Sequence, residues 1–370
     1  MKKIFISCGE VSGDKTGSWY LERLKKDYPD LSVEAVGGKF LKESGVKIYE
    51  SIEKLNVAGI FEIIGKLRFI LNFLKKLTDY ILENNFDEII LVDFPGFNLR
   101  LAKRLKKKNP AIRITYLSPP QIWIWGEWRI KTLKKFCDKL IVLYPFEVDW
   151  YQKRGLKVEF FGNPLCSEFS SIFKKKEFDL NSIALLPGSR EYELDYLLPI
   201  FVDVVKKFNL AFPKIKFILL IAESFSVKKV EGRLKKLGFF KFGRDVSIVQ
   251  SKDEKFKALS KCCMAITKPG TISLELSLLS IPALSIYKTS WLSYLLARIF
   301  VKVKYMSLPN IILSKPVYPE FIQGNCKLDL IFKEAKKLYY SIIQKDKRYK
   351  NLKSDFEKIR NILCSDDIEC

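Results

Sequence analysis

The first group placed for chemistry is a carboxylate directly after a strand-like run. In Ile89-Ile90-Leu91-Val92-Asp93-Phe94-Pro95-Gly96-Phe97-Asn98, four apolar residues end on Asp93. Pro95 and Gly96 then turn the chain into a helical pattern that begins at Asn98 and continues through Leu101, Ala102 and Leu105. Ligands of open parallel sheets sit outside the carboxyl ends of the strands. Asp93 therefore either takes a proton from a bound alcohol there or only caps its turn. The 370 residues contain no histidine. That removes Ser-His-Asp and Cys-His catalysis, imidazole bases and imidazole metal sites. A general base must be Asp, Glu, Lys, Tyr or Cys, and a carboxylate best suits an alcohol.

Two further turns suit anions. Ser182–Leu186 reads as a strand and leads through Pro187-Gly188-Ser189-Arg190 into an acidic helix start, Glu191 to Asp195. Met264–Thr267 leads through Lys268-Pro269-Gly270 to Thr271, with Glu275 one turn further on the same helix face. A glycine turn at a helix N-terminus directs backbone N–H groups at a phosphate, and Arg190 can fork two bonds onto one. Each turn alone reads first as structural; the pair suggests a nucleoside diphosphate. A third glycine-rich stretch, Cys8-Gly9-Glu10-Val11-Ser12-Gly13-Asp14-Lys15-Thr16-Gly17, is neither a G-x-G-x-x-G fingerprint nor a Walker A loop. It reads as a tight strand-to-helix turn or a place of close ligand approach.

The elements that must position these groups alternate. Strands are expected at Lys3–Ser7, Ser32–Val36, Ile89–Val92, Ile112–Leu117, Leu140–Leu143 and Val158–Phe161. A second series runs through Ser182–Leu186, Lys216–Ile221, Val246–Gln250, Met264–Thr267 and Ala283–Tyr287, with helical segments between. The alternation indicates parallel β-α units in two domains, joined by the polar stretch Ser167–Leu180.

Charge adds a partner question. Lys and Arg number 65 against 42 Asp and Glu, a net +23, which invites nucleic acid, an acidic membrane surface or phosphorylated ligands. No RNA-binding signature, zinc finger or helix-turn-helix pattern accompanies it. Lys66–Leu77 is apolar and basic, and suits either a helix on an anionic bilayer or a core helix with a solvated edge. No run approaches the ~20 apolar residues of a membrane span, and the N-terminal run is too short for a signal peptide. The eight cysteines show no C-x-x-C spacing, and a reducing cytoplasm is the simplest location.

Taken together, the motifs resemble those of the lipid-A-disaccharide synthase family, glycosyltransferases of the GT-B type. The matching stretches are Gly9–Asp14, Val36–Gly38, Asn56–Glu62, Asp93–Asn98, Ser118-Pro119 with Trp123-Ile124-Trp125, Leu185–Glu193, Gly270-Thr271 with Glu275, Ser307–Asn310 and Pro319-Glu320 with Gln323. They run in the family's order. The resemblance implies two Rossmann-like α/β domains facing across a cleft. Residues 1–166 would form an acceptor- and membrane-facing domain and residues 175–340 a UDP-sugar-binding domain. A C-terminal helix over about 345–370 would be able to pack back onto the first.

The implied reaction moves diacylglucosamine from UDP to diacylglucosamine 1-phosphate with inversion, giving a β-1′,6 disaccharide and UDP. Asp93 matches the family's proposed catalytic aspartate, with Glu10 and Asp14 as other candidates for the base. Gly9, Ser12, Gly13, Ser189, Arg190, Gly270, Thr271, Glu275 and Asn310 match substrate- or UDP-binding positions. No cofactor and no metal are implied. The partners are the two lipid sugars and an anionic membrane surface, with no nucleic acid, and the family is associated with homodimers. Location would be cytoplasmic, peripheral on the inner face of the membrane. There Phe69, Ile70, Phe73 and Leu74 would insert, with Arg68, Lys75 and Lys76 at headgroups. The sequence departs from the family pattern at Asn163, Gly126 and Pro269. Rival readings are another GT-B enzyme acting on UDP-sugars, such as a UDP-N-acetylglucosamine 2-epimerase, or a basic nucleic-acid-binding α/β protein.

Overall fold

The computed structural model describes residues 2–54, 60–169, 178–238, 246–301 and 303–364, without the side chains of 54, 60–67, 252 and 253. The motif over 56–62 and the central part of the expected linker fall outside the described side chains.

The chain divides into two compact units, Met1–Pro164 and Leu165–Cys370. The first contains β1 (Lys2–Ser7), α1 (Val11–Asp27), β2 (Leu31–Gly37), α2 (Lys39–Glu43), β3 (Lys47–Ser51), α3 (Ile60–Glu83), β4 (Glu88–Val92) and α4 (Pro95–Lys108). It continues with β5 (Arg113–Leu117), α5 (Ile130–Phe136), β6 (Lys139–Val142), α6 (Pro145–Gln152) and β7 (Val158–Phe160). The short helix α7 (Pro164–Phe169) starts at the boundary. The second unit follows with β8 (Asp179–Leu186), α8 (Glu191–Ala211), β9 (Lys216–Leu220), α9 (Val227–Lys236), β10 (Val246–Val249), α10 (Lys252–Lys261), β11 (Cys262–Thr267) and α11 (Thr271–Leu278). It closes with β12 (Ala283–Tyr287), α12 (Trp291–Phe300), α13 (Leu308–Ile312), β13 (Glu320–Ile322), α14 (Leu328–Gln344) and α15 (Lys347–Leu363).

Both sheets are parallel. Their orders are β3-β2-β1-β4-β5-β6-β7 and β10-β9-β8-β11-β12-β13. The unbroken apolar runs that mark strands in the sequence are central strands: β4 and β11 are buried along their whole length. β3 and β13 escape a periodicity reading. β3 is a half-buried edge strand with charges in Lys-Ile-Tyr-Glu-Ser, and β13 has three residues.

Strand order fixes where ligands can sit. In the first sheet the chain builds outward from β1 through β2 and β3, then returns to lay β4 on the other side of β1. In the second it does the same between β8 and β11. Helices after such neighbouring strands leave to opposite faces, which opens a crevice at the carboxyl ends. The first crevice lies between Cys8-Gly9-Glu10 and Asp93, the second between Pro187–Arg190 and Lys268–Thr271.

The C-terminal helix α15 packs on α11 and α14. Tyr318 and Phe356 meet with ring centroids 5.9 Å apart, and Lys315 pairs with Asp355 at 2.6 Å. Cys166 in α7 is disulfide-bonded to Cys364, just after α15, a pairing that cysteine spacing does not reveal.

Candidate active site

Asp93 and Phe94 both adopt left-handed backbone angles, φ 45° and 48°. Two consecutive non-glycine residues there store strain that surrounding bonds must hold. Asn98 is the principal clamp. Fully buried in the first turns of α4, it donates from Nδ2 to the carbonyls of Val92 (3.0 Å), Asp93 (2.9 Å) and Ser7 (3.2 Å). Its Oδ1 accepts from the Ser7 hydroxyl at 2.9 Å. The Tyr116 hydroxyl adds a bond to the Asp93 carbonyl at 2.7 Å, and the Asp93 N–H reaches the Leu117 carbonyl at 3.1 Å. Pro95, at the first helical position, needs no donor and fixes the start of α4. In sequence Asn98 reads as a helix start at the end of the Asp93–Asn98 motif; the clamp depends on β1, β4 and α4 meeting.

The elbow aims a half-buried carboxylate out of the sheet. Burial raises the Asp93 pKa, the Phe94 N–H bond lowers it, and the negative charge of Glu10 raises it further. Glu10 is exposed at the start of α1. A Cβ on Gly9 would collide with the Phe94 ring, so glycine is what lets the β1–α1 turn lie under the elbow. A Cβ on Gly13 would lie 3.6 Å from the Val92 carbonyl, and one on Gly17 3.3 Å from the Cys8 sulfur. These glycines chiefly permit α1 to lie close on β1 and β4. Gly9, Glu10, Gly13 and Asp93 are thus brought together, with Ser12 exposed in the first turn of α1.

Asp14 is turned away from this group. It is buried and accepts N–H bonds from Gly38 (2.7 Å), Phe40 (2.8 Å) and Leu41 (3.4 Å). Its carboxylate caps α2 and leaves little lone-pair capacity for a substrate proton. A second carboxylate, Glu147, escaped motif reading. It is buried and accepts from the Trp123 indole N–H at 2.8 Å and the Tyr144 N–H at 3.2 Å, and burial raises its pKa to about 7. It thereby anchors Trp123, while Trp125 and Trp128 stand exposed with Arg129 over their rings. Asn163 is buried and donates to the Leu143 carbonyl at 3.0 Å.

In the second crevice, Gly188, Ser189, Lys255, Lys268, Thr271 and Glu275 line a pocket of about 300 Å³. The expected anion turn at Pro187–Arg190 is partly occupied. Buried Glu193 accepts from the Ser189 N–H (2.8 Å) and the Arg190 N–H (3.1 Å), and pairs with Lys268 Nζ at 2.6 Å. Those two N–H groups therefore do not face the pocket as free donors. Gly188, at φ 112°, is required twice, since a Cβ would also strike the Glu193 carboxylate. Arg190 keeps its guanidinium largely in solvent, donating to the Tyr192 hydroxyl at 3.2 Å. Gly270, at φ 119°, opens α11 with Thr271 exposed at its first position. Glu275 carries Lys255 at 2.6 Å, so acid and base enter the pocket as a pair.

Asn310 lies elsewhere than on this pocket wall. It is fully buried, donates to the Tyr318 carbonyl (2.8 Å) and to Glu320 (2.9 Å), and accepts from the Tyr318 N–H (2.8 Å). Its bonds hold the α13–β13 connection. The expected membrane face of α3 also needs correction. Phe73 and Leu74 are 7% and 1% exposed and belong to the first unit's core, Ile70 is partly buried against it, and Phe69 stays exposed. Counting apolar residues could not separate the two faces, because one of them packs on α4.

A family model described as Lipid-A-disaccharide synthetase matches residues 4–367. The chain belongs to the lipid-A-disaccharide synthetase family. It is 34% identical to lipid-A-disaccharide synthase 1 of Legionella pneumophila, over 100% of this chain and 95% of the relative. It is 32% identical to a lipid-A-disaccharide synthase of Coxiella burnetii, over 90% and 88%. As a lipid-A-disaccharide synthetase family member it is a GT-B hexosyltransferase that forms the lipid A disaccharide. Solved structures with the same fold include the UDP-GlcNAc 2-epimerase of Neisseria meningitidis bound to UDP-GlcNAc (TM-score 0.62, 12% identity, 97% and 98% of the two chains). The UDP-GlcNAc 2-epimerase of Methanocaldococcus jannaschii is a second (0.60, 14%, 97% and 99%). At such identities the likeness is one of fold alone.

Proposed function

We propose that Asp93 is the general base of an inverting transfer from UDP-diacylglucosamine to diacylglucosamine 1-phosphate. The acceptor 6-hydroxyl gives its proton to Asp93 as its oxygen attacks the donor's anomeric carbon. The bond from that carbon to the β-phosphate oxygen breaks, and UDP leaves with the electron pair. The observation that carries the reading is the clamped left-handed elbow, which holds a carboxylate of raised pKa at the sheet's switch point beside Glu10. Glu10 adds to the rise that burial causes, and Asp14 acts by fixing α2.

The pocket of the second unit suits the UDP moiety. Gly270 and Thr271 offer the α11 N-terminus to the diphosphate, Lys268 and Arg190 add positive charge, and Glu275 accepts from ribose hydroxyls after Lys255 moves aside. The protein works at the inner face of the cytoplasmic membrane, peripherally, because both substrates carry acyl chains. The resemblance extends this reading to a homodimer.

The deciding experiment is turnover of the two purified lipid sugars in detergent. Asp93→Asn is expected to reduce kcat by ~10²–10⁴-fold with little change in KM. A variant retaining most of its rate removes Asp93 from the role.

A further inference from the structure

The helix α12 has no part in anything described so far. Six of its ten residues, Trp291, Leu292, Leu295, Leu296, Ile299 and Phe300, are 48–70% exposed, and no residue of the helix is buried. Long helices of the same unit behave oppositely: α8 and α14 each bury a continuous face. At ~100° per residue, the six apolar residues fill one contiguous half of α12, and Ser293, Tyr294, Ala297 and Arg298 fill the other. The helix is amphipathic with its apolar half turned to solvent. It is also specified locally, since the Ser290 hydroxyl accepts from the Ser293 N–H at 3.2 Å as an N-cap.

The charge around it narrows what covers it. From residue 276 to residue 319 the sequence contains no Asp or Glu, yet it holds Lys288, Arg298, Lys302, Lys304 and Lys315. Elsewhere the chain intersperses 42 acids with its bases. An apolar helix face whose flanking sequence supplies only cations complements a sheet of anionic headgroups over acyl chains. Trp291, at the helix start, is the residue type that settles at such a boundary.

We propose that α12 lies flat in an anionic bilayer, its apolar half below the headgroups and Arg298, Lys288 and Lys304 among the phosphates. This deepens the peripheral-membrane reading above, on which it rests, by naming the surface. Of the α3 residues expected to insert, Phe73 and Leu74 are instead committed to the core.

The test is flotation of the full chain with vesicles of phosphatidylethanolamine and phosphatidylglycerol, against vesicles of phosphatidylcholine. Wild type is compared with the triple variant Leu292→Ser, Leu295→Ser, Ile299→Ser, and with Arg298→Glu plus Lys304→Glu. The triple variant is expected to lose ~10-fold or more in partitioning, with UDP affinity unchanged as proof of folding. The charge-reversal variant should bind anionic vesicles as weakly as neutral ones. Equal flotation of wild type and triple variant overturns the proposal. So does a change in oligomeric state of the triple variant in vesicle-free buffer, measured by light scattering, which would show a second copy covering α12. Transfer assayed in detergent separates this from the catalytic reading, because vesicle binding supports α12 whether or not turnover is seen.

Discussion

At the scale of the residue, the Asp93 carboxylate is useful because it is harder to ionise than an exposed aspartate. Burial and Glu10 raise its pKa above the ordinary 3.8. The base must be ionised to accept a proton, so the transfer rate should fall as pH drops through that raised value, not at the ordinary one. Removing the neighbouring charge by Glu10→Gln is expected to move this acid limb to lower pH while leaving most of the rate at neutral pH. A loss of ~10²-fold or more at all pH values would instead make Glu10 the base. Glu147 gives a separate stability signal. Its pKa rises from 4.5 to about 7 in the folded protein, so between those values the folded state holds the proton that the unfolded state releases. Its contribution is full below about 4.5 and is lost as pH rises to about 7, at up to ~1.4 kcal/mol per pH unit. Glu147→Gln keeps one acceptor for Trp123 and should flatten urea-unfolding stability across that window.

At the scale of the element, both candidate sites depend on turns that a side chain holds from behind. Asn98 clamps the β4–α4 elbow, and Glu193 clamps the β8–α8 turn. Asn98→Ala leaves two or three buried carbonyls and the Ser7 hydroxyl without their partner. A loss of roughly 2–4 kcal/mol is expected in chemical denaturation, together with loss of turnover as Asp93 relaxes out of its left-handed geometry. Gly188→Ala combines a positive φ with a collision against Glu193. It should cost roughly 1–3 kcal/mol and weaken UDP binding measured by calorimetry, because the Glu193–Lys268 pair is displaced.

At the scale of the whole molecule, Asp93 and the pocket lined by Lys268, Thr271 and Glu275, the base and the UDP site of the proposed reaction, belong to different compact units. Binding of UDP and transfer should therefore be separable. Asp93→Asn is expected to leave UDP affinity within ~2-fold, whereas Thr271→Val should weaken it ~3–10-fold, both by calorimetry. A large loss of UDP affinity in the Asp93 variant would mean that the units do not divide the work in this way.

How far the chain could be read without coordinates follows from the range of each interaction. The absence of histidine, the strand runs, the glycine turns and the position of Asp93 after β4 are local, and periodicity with turn chemistry exposes them. So is the ordered set of motifs that marks the family. Pairings across long separations are not local: Asn98 with Ser7, Glu147 with Trp123, and Cys166 with Cys364; Asn310 with Tyr318 and Glu320 is closer in sequence but joins two elements. Each depends on which elements become neighbours, so Asp14 and Asn310 look like ligand groups in sequence, and only the structure shows their bonds to α2 and to the α13–β13 connection. The direction an amphipathic helix faces is decided in the same way. α3 and α12 are both apolar and basic in sequence, and only packing buries Phe73 and Leu74 while leaving Trp291 through Phe300 in solvent, because hydrophobic burial is non-directional and goes to whichever face meets a partner.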